Sequence, residues 1–205
     1  MRKTKAFPIV VSGPSGVGKT TLVEKLTFGD SSLRRSVSVT TRPKRNGEKE
    51  GDSYNFVDKE EFEKLKQDKL VEWAEVHGHF YGTPRDFVEG SLEKGLDVVL
   101  NIDVQGGNRV KKAFPDAVMI FILPPSFEVL EQRIRHRNTD FEGEIELRLA
   151  NAREEIKALR QYEYAVVNDD LDEAVSAIRA IIEAERSRRV RYDTTFIEQF
   201  GNGSF

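Results

Sequence analysis

The sequence predicts an α/β domain: a parallel core sheet flanked by helices, with a smaller mixed sheet inserted near its start. Three observations predict it. Short, continuous apolar runs recur along the chain, as strands buried on both faces require. Segments with apolar residues three and four apart separate them, as crossover helices do. The stretch from Ser36 to Tyr81 breaks that rhythm with shorter, more polar strands.

The first apolar run, Phe7–Val11, leads directly into Gly13-Pro14-Ser15-Gly16-Val17-Gly18-Lys19-Thr20. This fits G-x-x-x-x-G-K-[ST] between a strand and a helix. Its glycines let consecutive N–H groups point inward as an anion nest. The helix behind adds unpaired N–H groups and the positive end of its dipole. Lys19 is placed to reach terminal phosphates, and the Thr20 hydroxyl to ligate magnesium. The loop therefore reads as a site for a nucleoside triphosphate, ATP with Mg2+, in preference to a glycine turn that serves packing alone. Leu22, Val23 and Leu26 give the following helix one apolar face.

The insert reads as the strands "SVSVTT", "YNFV", "VEWAEV" and "HFYG", with a helix over Lys59–Lys66 among them. Asp58 is its expected cap, with Glu61 three residues on. A helix over about Pro84–Lys94 returns to the core, followed by strands at Asp97–Ile102 and Ala117–Leu123. Ser126 can cap a helix that carries Phe127, Leu130 and Ile134. Asn138–Gly143 is a polar break, fitting either a mobile lid or an ordinary helix connection. Ile145, Leu149, Ala152, Ile156 and Leu159 form the next helical stripe. Tyr164–Val167 is the last strand, and Leu171, Ala174, Val175, Ile178 and Ile182 form the last stripe. From Tyr192 to Phe205 no periodicity remains, and a mobile tail is expected.

Composition narrows the function. The chain has 205 residues, enough for one domain with a real core, and is 38% hydrophobic and 33% charged, which argues against disorder. A net charge of -3 gives no basic field, so nucleic acid is not an expected partner. No cysteine is present, which excludes disulfides and thiolate chemistry and points to an intracellular, cytoplasmic setting. The N-terminus superficially resembles a signal peptide, but its apolar run is too short. No stretch approaches the roughly 20 apolar residues that cross a bilayer, so no membrane is expected either. His77 and His79 flank Gly78 in an expected hairpin turn. With His136 as the third histidine and no cysteine, they read as surface residues rather than metal ligands.

A second cluster follows the phosphate loop. Ser38, Arg42, Arg45 and Tyr54 lie in "SVTTRPKRNGEKEGDSYNFV". Two arginines beside a tyrosine can grip a phosphate bidentately; a solvated basic loop would look the same.

Taken in order, "SGPSGVGKTTL", "SVSVTTRPKRNGEKEGDSYNFV", "VEWAEVHGHFYGTP", "VVLNIDVQGG", "RIRHRNTDFEGEIELRL" and "VVNDDL" resemble the guanylate kinase family over about residues 7–189. The resemblance implies the fold of the P-loop nucleoside monophosphate kinases. A core of residues 1–35 and 84–189 would carry an inserted GMP-binding subdomain, 36–83, and a lid at about 138–148, with 190–205 as the tail. It implies transfer of the γ-phosphoryl group of Mg-ATP to GMP and dGMP, a step of purine nucleotide metabolism. It assigns no oligomeric state. Gly13 to Thr20 would bind the ATP phosphates, with Asn168 near the ATP base. Arg42, Arg45, Tyr54 and Tyr81 would hold the GMP phosphate, and Ser38, Glu72 and Thr83 would read guanine. Asp103 would lie near GMP and the metal, reaching the ion through water. Lys19, Arg42, Arg133, Arg137, Arg148 and Asp103 would serve the transfer itself. Arg133 and Arg137 are four apart and share a helix face. Two positions depart from the family pattern. Asn101 stands where an acidic residue is usual, and Asn138 where glycine is usual.

The chemistry of the residues bears on the acceptor independently. Guanine presents N1–H and the N2 amine as donors beside the O6 acceptor. A carboxylate such as Glu72 accepts from both donors, and Ser38 and Thr83 hydroxyls can donate to O6. Adenine would turn the N1 lone pair toward that carboxylate. Two other functions remain compatible with parts of the pattern: a non-catalytic protein-binding scaffold of the same fold, and a kinase acting on another phosphorylated sugar or nucleotide. Lys19, Thr20 and the lid arginines weigh against the first; Ser38, Glu72, Tyr81 and Thr83 weigh against the second.

Overall fold

The computed structural model describes residues 4–45, 47–76, 78–136, 142–192 and 198. Arg137, Asn138, His77 and most of the expected tail lie outside them, as does the first part of the expected lid.

Five strands build the core sheet: β1 Pro8–Ser12, β2 Leu33–Arg35, β7 Asp97–Asn101, β8 Val118–Leu123 and β9 Tyr164–Val167. Their order is β2-β7-β1-β8-β9, and every pairing is parallel. Ile9 and Val11 face one core, against Leu22, Leu26, Leu130, Ile134 and Ile178. Val10 between them faces a second core, with Val88, Leu100, Val110 and Met119. Both faces are thus covered, which is why the central strands β1 and β8 are apolar almost throughout instead of alternating.

Four further strands form the smaller sheet, ordered β4-β3-β6-β5: β3 Val39–Thr40, β4 Asn55–Phe56, β5 Leu70–Val76 and β6 His79–Pro84. The β3–β4 pair is parallel; β6 runs antiparallel to both β3 and β5. Its own small core is Val39, Phe62 and Leu70, with Phe80 stacked on Phe62 at 5.4 Å. Phe62 comes from α2, Lys59–Asp68, which starts where expected because Asp58 accepts from the Glu61 amide at 2.8 Å.

The remaining helices are α1 Lys19–Thr27, α3 Arg85–Glu93, α4 Val104–Ala113, α5 Phe127–Arg135, α6 Glu142–Lys157 and α7 Leu171–Arg186. Ser126 caps α5 by accepting from the Val129 amide at 3.2 Å. On α6 the expected stripe is buried at Ile145, Leu149 and Ala152, while Ile156 is half-buried and Leu159 lies in a 3-10 turn.

Two elements go beyond the sequence reading. The strand β2 has only one buried apolar residue, Leu33, because it is an edge strand paired with β7 alone. Gly106 and Gly107 hide the helix α4 from the sequence pattern, yet Asp103 caps it by accepting from the Gly106 amide at 2.7 Å. The expected tail from residue 190 also begins docked. Arg191 is buried, pairs with Glu185 at 3.1 Å and lies over the Phe7 ring. No helix of the described residues is long and apolar enough to cross a membrane.

Candidate active site

The phosphate loop leaves β1 at the carboxyl edge of the core sheet. Gly13 has φ 150, and a Cβ there would stand 2.4 Å from the Ile122 carbonyl oxygen. Gly18 has φ 94, and its Cβ would meet the Asn168 amide at 2.7 Å. A side chain at Gly13 would press the loop against β8, and one at Gly18 would meet Asn168, just past β9. Gly18 caps α1 with no side-chain hydrogen bond. The amino end of the helix, with the positive end of its dipole, thus faces the loop, a setting that suits an anion.

Side chains from three directions hold the loop. Lys19 Nζ donates to the carbonyls of Gly13 and Pro14, at 2.5 and 3.0 Å. Arg148, on α6, donates to Ser15 Oγ at 3.1 Å, and Glu155 accepts from the Ser15 amide at 3.2 Å. Asn168 is buried and donates to the Val17 carbonyl at 2.7 Å, while Arg133 donates to the Asn168 carbonyl at 3.0 Å. Arg133 and Arg148 therefore converge on the loop from α5 and α6. Of the residues expected to serve the triphosphate, Arg137 alone falls outside the described residues.

A cleft separates this loop from the smaller sheet. It has two lobes, of about 290 and 370 Å3, which share Thr20, Ser38, Tyr54, Tyr81 and Asn101. Lys19, Glu72 and Asp103 line the first lobe; Arg42, Arg45 and Glu48 line the second. The two clusters that are far apart in sequence thus open into one space.

In the second lobe Arg42 is buried and multiply held. It donates to Tyr81 Oη at 3.2 Å and to Glu48 at 2.6 Å, and its guanidinium lies 5.4 Å from the Tyr54 ring centroid. Burial works against its charge, and Glu48 and Tyr81 more than restore it, so its pKa lies above the ordinary value. The same bond to Arg42 holds the Glu48 carboxyl below its ordinary value. Burial pushes the Tyr54 phenol up. Arg45 is exposed, with its backbone amide donating to Glu48 at 2.8 Å.

The first lobe holds the buried carboxylate. Glu72 on β5 is 5% exposed, and Thr83, paired with it across β6, donates to it at 2.6 Å. Burial pushes the Glu72 pKa up to about 7, and nearby Asp103 pushes the same way. The Thr83 bond and the charge of Arg109 oppose this. Ser38 lies on the wall between the lobes. Asp103 lines the first lobe while capping α4, and Asn101 donates to Thr20 Oγ1 at 3.2 Å.

Three contributors were not picked out from the sequence. Glu48 was one acidic residue among several in "GEKEG", and only its pairing with Arg42 distinguishes it. Gly106 reads as a helix breaker, but a Cβ there would stand 2.6 Å from Glu72 Oε2. Arg109 carries no motif at all.

Comparison with known proteins agrees with this geometry. The family model described as guanylate kinase matches residues 5–185. The chain is 51% identical over 201 residues to a guanylate kinase of Rhizobium meliloti, covering 97% of this chain and 91% of that one. It is 49% identical over 187 residues to a guanylate kinase of Caldanaerobacter subterraneus, covering 91% of each. Its fold is similar to the crystal structure of guanylate kinase from Anaplasma phagocytophilum, with a TM-score of 0.80 and 36% identity over 99% of this chain and 98% of that one. A match running almost end to end takes in the phosphate loop, the smaller sheet and the cleft between them, and the chain belongs to the guanylate kinase family of nucleoside monophosphate kinases.

Proposed function

We propose that this chain transfers the γ-phosphoryl group of ATP to GMP and dGMP, giving ADP with GDP or dGDP, in the cytoplasm. The observation that carries the reading is the buried Glu72, braced by Thr83, in a lobe continuous with the phosphate loop. A buried carboxylate facing a cavity is suited to paired donors, which guanine N1–H and N2 supply. A site built on such bonds rejects the wrong base by ~10⁴ or more, because the wrong base leaves its buried groups unpaired.

The residues present fit a magnesium ion. Thr20 Oγ1 and Asp103 open on the cleft, with Asn101 beside Thr20. No group of three His, Cys, Asp or Glu among the described residues forms a cage. Magnesium suits such a site, since it takes few protein ligands and completes its shell with phosphates and water. Bound there, it supplies positive charge to the triphosphate. Thr20 would hold it directly and Asp103 through water.

Transfer then rests on positioning and neutralisation. A GMP phosphate oxygen attacks the γ-phosphorus in line, the bond to the bridging oxygen breaks, and ADP leaves. Arg42, Arg45, Tyr54 and Tyr81 would hold the acceptor phosphate, with that phosphate replacing Glu48 as the partner of Arg42. Lys19, Arg133, Arg137 and Arg148 would neutralise the developing charge. The acceptor phosphate is already ionised at neutral pH, so no base is required. Asn168, tied to the loop behind Gly18, would border the ATP base.

The test is ADP formation from Mg-ATP with GMP, dGMP, AMP, CMP, UMP or no acceptor. Turnover with the two guanine nucleotides alone is expected. No turnover with any acceptor, in folded protein that binds GMP, would replace the kinase with a binding scaffold.

A further inference from the structure

An acid stands against a loop whose chemistry suits anions. Glu155, on α6, accepts from the Ser15 amide at 3.2 Å. The same helix supplies Arg148, which donates to Ser15 Oγ at 3.1 Å. The two are seven residues apart, so both lie on one face of α6. Ala152 lies between them on that face, fully buried in the core that also holds Val17 of the loop. Packing thus fixes the helix against the loop, and the two polar side chains grip a single residue of it. Ser15 lines the first lobe of the cleft, whereas Glu155 lines neither lobe and reaches the amide from behind.

The backbone groups of the loop give that bond its weight. Pro14 has no N–H to offer. The Val17 amide donates to the Pro14 carbonyl at 3.3 Å, and Lys19 donates to the Gly13 and Pro14 carbonyls. Between these anchors the Ser15 amide goes to a carboxylate 140 residues away. A charged acceptor makes such a bond about twice as strong as a neutral one.

We propose that Glu155 is a positioning residue for the donor site: its carboxylate clamps the Ser15 amide from behind, holding the phosphate loop and Arg148 in the arrangement that receives the ATP phosphates. This rests on the reading of the loop as the ATP site. An acid in the phosphate space itself would repel the triphosphate and weaken its binding. An acid behind the loop shapes the anion nest without entering it. The two roles give opposite signs when the acid is removed.

The experiment measures Kd for a non-hydrolysable ATP analogue with magnesium, KM for ATP and GMP, kcat and Tm in the parent, Glu155→Ala and Glu155→Gln. Glu155→Ala should raise Kd and KM for ATP about tenfold, the order of one hydrogen bond to a charged group. Its kcat should fall as well, by up to about a hundredfold, because transfer suffers from a displaced loop. KM for GMP should stay at the parent value. Glu155→Gln, which keeps an acceptor oxygen at the same reach, should recover most of the loss. Tighter binding of the analogue in either variant would overturn the proposal, since it would mark Glu155 as a competitor for the phosphates. Unchanged donor binding and kcat in folded Glu155→Ala would overturn it too. So would an equal rise in KM for both substrates, or a glutamine variant as impaired as the alanine one. If Glu155→Ala does not fold, Glu155→Met keeps bulk and helix propensity without the acceptor oxygen and takes its place. If the parent itself binds no analogue, the reading of the loop falls and the proposal with it. If the parent binds it and the variants match the parent throughout, only the role of Glu155 falls.

Discussion

At the scale of single residues, the role proposed for Glu72 sets function against stability. Its pKa in the folded chain is about 7, against an ordinary 4.5, because burial disfavours the charged form. Between those values the unfolded chain binds fewer protons than the folded one. Stability contributed by the neutral form is therefore present below about pH 4.5 and is lost as pH rises toward 7. A gap of about 2.5 units corresponds to on the order of 3 kcal/mol above pH 7. Glu72→Gln keeps an acceptor for the Thr83 hydroxyl and removes the buried charge. Denaturant unfolding at pH 8 should find that variant more stable than the parent by up to about 3 kcal/mol, with the gap closing as pH falls toward 5. KM for GMP should rise in the same variant. A glutamine variant less stable than its parent at pH 8 would show that the buried charge costs the fold nothing.

At the scale of elements, Asp103 serves two masters: it caps α4 and faces the cleft. The roles separate chemically. Asp103→Asn keeps a capping oxygen and loses the charge, whereas Asp103→Ala loses both. The alanine variant should cost about 1 kcal/mol in stability, as cap removal does, and the asparagine variant a few tenths. Both should lose phosphoryl transfer. An asparagine variant with full activity would leave Asp103 a cap and nothing more. This dual use also explains what the sequence concealed. Where a cap stood before a clean apolar stripe, as Asp58 does before Phe62 and Ser126 before Leu130, the helix was legible. The cap of α4 stood before Gly106 and Gly107, which weaken local helix propensity. Those glycines answer to partners distant in sequence: a Cβ would meet Glu72 at the first and Tyr162 at the second, 2.8 Å away. The phosphate loop was legible because its chemistry is written in consecutive residues. Glu48 and Arg109 were not, because each matters only through a partner that folding brings to it.

At the scale of the whole molecule, one cleft lies between two sheets that share a core where Val71 of β5 packs with Val88 and Leu100, and elsewhere side chains reach across it. Arg35, on the edge strand of the core sheet, is one that does. It donates to the Asp52 carbonyl at 2.5 Å and to its carboxylate at 2.8 Å, and pairs with Glu24 on α1 at 3.4 Å. These contacts are exposed and worth little individually. They tie the turn ahead of β4 to the edge of the core sheet. On the proposed assignment the acceptor lies on the side of Arg42 and Glu48 and the donor on that of Lys19 and Arg148, and an open cleft between them would let water intercept the phosphoryl group. Both substrates bound together would draw the two sides onto one set of phosphates, and the smaller sheet would close over them. Small-angle scattering tests this directly. A chain of this length has a radius of gyration of roughly 17 Å, and closure should lower it by about 1 Å. GMP with a non-hydrolysable ATP analogue should produce the full change, and GMP alone only part of it, since the loop side would still lack its anion. An unchanged radius with both ligands would mean that the two lobes already stand at reacting distance, and that water is excluded by the bound nucleotides themselves.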